Sequence, residues 1–97
     1  VEIAPKDADA WVGLAASYDR ERKFALADQA YARAIRLVGV NTVILNNQGY
    51  SYMLRGDLRK ARGKFLAAFE REPENPYIKN NLELLNESEK SIKRIRS

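Results

Sequence analysis

The sequence predicts an all-α chain built from a repeated helical hairpin. Three observations carry that prediction. When the chain is slid along itself by about 34 residues, Trp11 falls on Leu45, Ala15 on Gly49, Tyr18 on Tyr52, Ala27 on Ala61, Tyr31 on Phe65 and Ala34 on Ala68. Within each unit the apolar residues recur at helical steps of three and four. Composition leans to Ala, Leu, Arg, Lys, Glu and Asn, with three prolines and few β-branched runs.

In chain order, residues 1–7 (VEIAPKD) read as the closing turn of an earlier hairpin, which makes the chain a piece of a longer repeat protein. Asp7 caps a first helix, Ala8 to about Arg20, with Trp11, Leu14, Ala15 and Tyr18 on one face. Glu21-Arg22-Lys23 is a charged turn. A second helix runs from about Phe24 to Leu37, and Gly39 closes it by adopting the left-handed geometry of a helix end. Repeat 1 is therefore residues 8–41.

Repeat 2, residues 42–75, has Asn41 capping a helix over Thr42 to Leu54, a turn at Gly56, and Asp57 capping a helix over Leu58 to Arg71. Asn75 then caps a fifth helix, with Pro76 at its first position, where a missing N–H is harmless. Ile78, Leu82 and Leu85 make its apolar stripe. Where the hairpins carry Trp11, Ala15 and Tyr18, this helix carries Lys79, Glu83 and Asn86. It should seal the second hairpin and face water on its other side, as the last helix of an array must. Beyond Glu87 the helix is expected to continue briefly and fray into a basic tail.

Trp11, Leu14, Ala15, Tyr18, Ala27, Tyr31 and Ala34, followed by Gly49, Tyr52, Ala61, Phe65, Ala68 and Pro73, resemble the signature of tetratricopeptide repeats. The likeness covers Ala8 to Asn75, with half-units on either side, and implies a right-handed solenoid. The run LNNQGYSYMLRGDLRKA is also similar to repeats in bacterial tight-adherence (Flp-type) pilus-assembly proteins. Two positions depart from the pattern. Gln48 stands where Leu14 and Leu82 stand, so a buried amide must find a partner or reach water. Arg22 stands where Gly56 stands, so the first turn either holds a left-handed arginine or takes another shape.

The residue inventory argues against catalysis. The chain has no histidine and no cysteine, which removes the commonest general base, the usual nucleophile pairings and the common zinc ligands. Glu70, Glu72 and Glu74 gather around Pro73 without the spacing of a calcium loop. No cofactor is expected. The net charge of +4 is mild for a nucleic-acid face, and SIKRIRS has no aromatic side chain to stack on a base. No compartment is indicated, the bacterial cytoplasm and the cell envelope both being open.

Binding is the favoured reading. The resemblance implies that the first helices of successive units line a concave groove. That places Asp9, Val12, Gly13, Ala16, Asp19 and Arg20 there from the first unit. Val43, Asn46, Asn47, Tyr50, Met53 and Leu54 follow from the second, and Tyr77, Asn80, Asn81 and Leu84 from the last helix. Spacing alone separates Asn46, Tyr50, Met53 and Leu54 from the stripe of Leu45, Gly49 and Tyr52, so the third helix has two surfaces to cover. The asparagine pairs can hold the backbone of a partner peptide, the rings and Met53, Leu54 and Leu84 its apolar side chains, and Arg20 a carboxylate. The alternative is a self-associating unit, a homodimer through Trp11 or Tyr31 at an exposed end.

Overall fold

The computed structural model describes residues 7–96; of the expected remnant of an earlier hairpin at residues 1–7, all but Asp7 lies outside them. Five helices follow one another: α1 Ala8–Arg20, α2 Phe24–Val38, α3 Thr42–Leu54, α4 Leu58–Arg71 and α5 Pro76–Arg96. Among the described residues there is no strand. α1 packs on α2 and α3 on α4 as antiparallel hairpins, and α5 closes on α4. The long dimension is 49 Å against 16 Å for the short one, as expected of units stacked in a row.

Four of the five helices start where a side chain satisfies a free backbone donor; α2, preceded by Lys23, has no such cap. Asp7 Oδ1 accepts from Ala10 N at 3.0 Å, Asn41 Oδ1 from Ile44 N at 2.9 Å and Asp57 Oδ1 from Lys60 N at 3.1 Å. Asn75 Oδ1 accepts from Tyr77 N at 2.9 Å, just past Pro76.

The two hairpin turns share one geometry. Lys23 N donates to Tyr18 O at 2.8 Å, and one repeat later Asp57 N donates to Tyr52 O at 2.9 Å. Both need a positive φ at the residue before: 83° at Gly56 and 62° at Arg22. The first turn thus keeps its shape with a left-handed arginine. Its guanidinium reaches the next unit, where Nη1 donates to Leu54 O at 3.4 Å, and it also lies 5.3 Å from the Phe24 ring centroid. The cross-unit contact offsets the local strain.

At Gly39 the expectation needs correction. Its φ of 76° is positive, but ψ is −179°. That is an extended region open essentially to glycine alone, not the left-handed helical one. Gly39 still closes α2 by donating to Ile35 O at 2.7 Å.

Each hairpin is completed by the helix that comes after it. Ile44 of α3 is buried in a core made of Ala15, Ala27, Ala30, Tyr31 and Ala34. Ile78 of α5 packs with Leu45 and Ala68, and Leu85 packs with Ala61 and Phe65. Ile78 and Leu85 are fully buried while Lys79, Glu83 and Asn86 are exposed, so α5 does seal one side and face water on the other.

Candidate binding groove

The candidate groove residues lie mostly on α3 and α5. On α3, Tyr50 is 43% exposed, and Asn46, Asn47, Met53 and Leu54 are half-buried. On α5, Tyr77 and Leu84 are 72% and 51% exposed, Asn80 is exposed and Asn81 half-buried. Asn81 Nδ2 donates to Asn46 Oδ1 at 2.8 Å, tying the two helices side by side. Each of those amides keeps its other polar atom, and Asn47 and Asn80 make no side-chain hydrogen bond among the described residues.

Three groove positions behave differently from the rest. Met53 leans into the core of the second hairpin, beside Phe65 and Leu85, so only part of it is offered outward. Arg20 is exposed and donates to Ser17 Oγ on its own helix at 3.1 Å. Asp19 is no groove residue: it is 4% exposed.

Asp19 instead anchors a buried polar network that sequence reasoning missed. Its Oδ2 accepts from Tyr31 Oη at 2.8 Å and its Oδ1 from Ser51 Oγ at 2.6 Å. Ser51 Oγ accepts from Arg55 Nη2 at 2.6 Å, and Arg55 holds Asp28 with two bonds of 2.8 and 3.0 Å. The guanidinium lies over the rings of Tyr52 and Phe24, at 4.5 and 4.8 Å. The bond to Asp28 leads in raising the Arg55 pKa further above its ordinary value. The chain of bonds crosses from the first hairpin into α3 and fixes how the units stack.

The same network removes Tyr31 as a dimer contact, because Tyr31 is 1% exposed. Trp11 is half-buried, with Arg33 over its ring at 5.5 Å. Gln48 Oε1 is buried without a hydrogen-bond partner among the described residues. Around Pro73, Glu72 accepts from Asn75 and Glu74 from Lys79. No three acidic groups among the described residues come together to hold a metal.

Tyr31 makes alkaline stability measurable. Burial first, then the hydrogen bond and charge of Asp19, push its pKa well above the ordinary phenol value. The unfolded chain ionises near pH 10, as a free phenol does. The raised pKa therefore contributes stability that is complete below about pH 10 and is lost as pH climbs beyond it. Urea unfolding between about pH 9 and 11 should lose up to about 1.4 kcal/mol per pH unit more in the wild type than in Tyr31→Phe. Equal slopes would mean that Tyr31 ionises freely.

No protein-family model matches this chain, and no curated protein matches it either.

Proposed function

We propose that this chain is a tetratricopeptide-type, non-catalytic interaction module that holds an extended segment of a partner protein along α3 and α5. The observation that carries the reading is the character of that surface. In a chain with 31% charged residues, Asn46, Asn47, Tyr50, Leu54, Tyr77, Asn80, Asn81 and Leu84 form a stripe without a charge. Exposed rings beside amides with free donors and acceptors suit a peptide, whose backbone the amides bind and whose side chains the rings cover. The small residues Gly13 and Ala16 leave the α1 end of the stripe open, and nothing lies within 4 Å of a Cβ built on Gly13. Service in an adaptor or a bacterial assembly, as the likeness to tight-adherence proteins suggests, is part of the same proposal.

The test is selection from a displayed library of random peptides, followed by fluorescence anisotropy with the winners. Replacing Asn47 and Asn81 together by Ala should weaken binding about tenfold or more, the loss of one or two hydrogen bonds to backbone. The circular dichroism spectrum should not change. Affinity should vary little with salt, since the stripe has no ion pairs to screen. Winners that bind the double variant as tightly as the wild type would place the ligand elsewhere.

A further inference from the structure

The opposite side of α3 carries a second feature. Leu45 and Tyr52, together with Lys60, Gly63, Lys64 and Ala67 of α4, line an open cleft of about 350 Å³. Helical spacing sets Leu45 and Tyr52 on the far side of α3 from Tyr50 and Asn47, so the cleft and the groove are separate surfaces. One repeat earlier, Trp11, Tyr18, Leu26, Gln29, Ala30 and Arg33 form the equivalent cleft, but its volume is only about 150 Å³. The larger one has glycine in place of Gln29 and leucine in place of Trp11.

Gly63 is the informative residue. It lies in the middle of α4, where glycine is the least favourable residue after proline. Nothing in the fold asks for it: φ is not in the left-handed region, and no atom lies within 4 Å of a Cβ built there. Gly49, by contrast, is demanded by Phe65. A glycine that the chain's own packing does not need, on the lip of a cleft, leaves room for an incoming group.

Charge says what that group is. α4 carries Arg59, Lys60, Arg62, Lys64 and Arg71 against Glu70 alone. Arg62 is engaged by Glu89 and Asn86, whereas Lys60 reaches Asp57 at 3.9 Å and lies 5.6 Å from the Tyr52 ring centroid, at the edge of the cleft. Arg59 and Lys64 have no ion-pair partner among the described residues. Lys60 and Lys64 stand one helical turn apart on either side of Gly63. We infer that this cleft docks an acidic segment of a partner protein, seating one apolar side chain on Leu45 and Tyr52 while its carboxylates meet Lys60 and Lys64. A planar anionic lipid surface fits less well, because the apolar floor is recessed between two helices.

The probe is a set of short peptides with one leucine or phenylalanine between glutamates, and the same peptides with glutamine for glutamate. They are titrated into isotopically labelled 97-residue chain and followed by amide shifts. The acidic peptides should move Tyr52, Gly63, Lys64 and Ala67 in a saturable way, and the glutamine versions should bind about tenfold more weakly. Gly63→Ala should raise Tm by about 4–8 °C through helix propensity, yet weaken the acidic peptides about tenfold. Loss of binding in a more stable variant cannot be blamed on unfolding. Lys64→Glu should abolish binding. The inference fails if no peptide binds at millimolar concentration, or if Gly63→Ala binds as the wild type does. It fails equally if the shifts fall on Tyr50 and Asn81, or if phosphatidylserine vesicles bind in a Lys64-dependent way and the peptides do not. None of these outcomes bears on the Asn47 and Asn81 test, which reads the other face.

Discussion

Gly49→Ala is expected to lower the stability of the chain by about 1 kcal/mol, although alanine is the better helix former. A Cβ at Gly49 would sit 2.5 Å from both Cδ1 and Cε1 of Phe65. Real Cβ atoms do not approach a ring so closely, so either the ring or α3 must move. Phe65 is fully buried, packed with Ala61 and Leu85 and against Met53 and Tyr52, and has nowhere to turn. The loss in overpacking, about 1–3 kcal/mol, exceeds the gain in propensity of about 1 kcal/mol at most. Urea unfolding measures it as a lower midpoint at unchanged slope. Adding Phe65→Leu to the same chain should recover part of the loss, because the smaller side chain frees the space. Strictly additive effects of the two substitutions would show that they do not meet. The first hairpin supplies the comparison: Ala15 holds the equivalent place opposite Tyr31 and is itself fully buried.

Much of the fold was legible because the punctuation is chemical. Asp7, Asn41, Asp57 and Asn75 each cap the helix expected of them, and α2 runs only one residue past Leu37. Exposure was legible in outline, since it follows helical phase: Tyr50, Tyr77, Asn80 and Leu84 are all exposed. Asp19 was not legible. Its phase on α1 is that of Met53 on α3, and phase alone does not tell a groove position from one that leans into the core. Both residues lean inward. A signal was nevertheless present, in how the two repeats differ. Asp19, Tyr31 and Ser51 of one junction are replaced by Met53, Phe65 and Leu85 at the next. The Asp28–Arg55 pair is likewise followed by Arg62–Glu89, with the charges exchanged. Such paired changes mean nothing until it is known which side chains touch. The polar and apolar junctions are therefore two solutions to one packing problem. Their mismatch keeps α3 and α5 from trading places: α5 laid on the first hairpin would set Leu85 against Asp19 and Glu89 against Asp28.

The polar junction yields the largest expected effect. Asp19→Ala should destabilise the chain by about 3 kcal/mol. The substitution removes a carboxylate that accepts from Tyr31 and Ser51, and both hydroxyls are left in a dry interface, Tyr31 1% and Ser51 1% exposed. Two stranded donors at about 1–3 kcal/mol each set the scale, reduced where the Ser51 hydroxyl turns to a backbone carbonyl of its own helix. The loss should fall on the stacking of the hairpins rather than on helix formation, so amide exchange in α3 should quicken more than in α4. The second junction suggests the cure. Replacing Asp19, Tyr31 and Ser51 together by Met, Phe and Leu copies the apolar set that already works one repeat later, and removes the Asp19 charge together with both hydroxyls that depend on it. A buried polar cluster exchanged whole for apolar side chains is often neutral or stabilising, whereas removal of one member is not. The triple variant is therefore expected to recover most of what Asp19→Ala loses, with Arg55 still held by Asp28. Thermal unfolding of the two variants beside the wild type decides the matter. A triple variant less stable than Asp19→Ala would mean that the junction is shaped for its polar side chains alone.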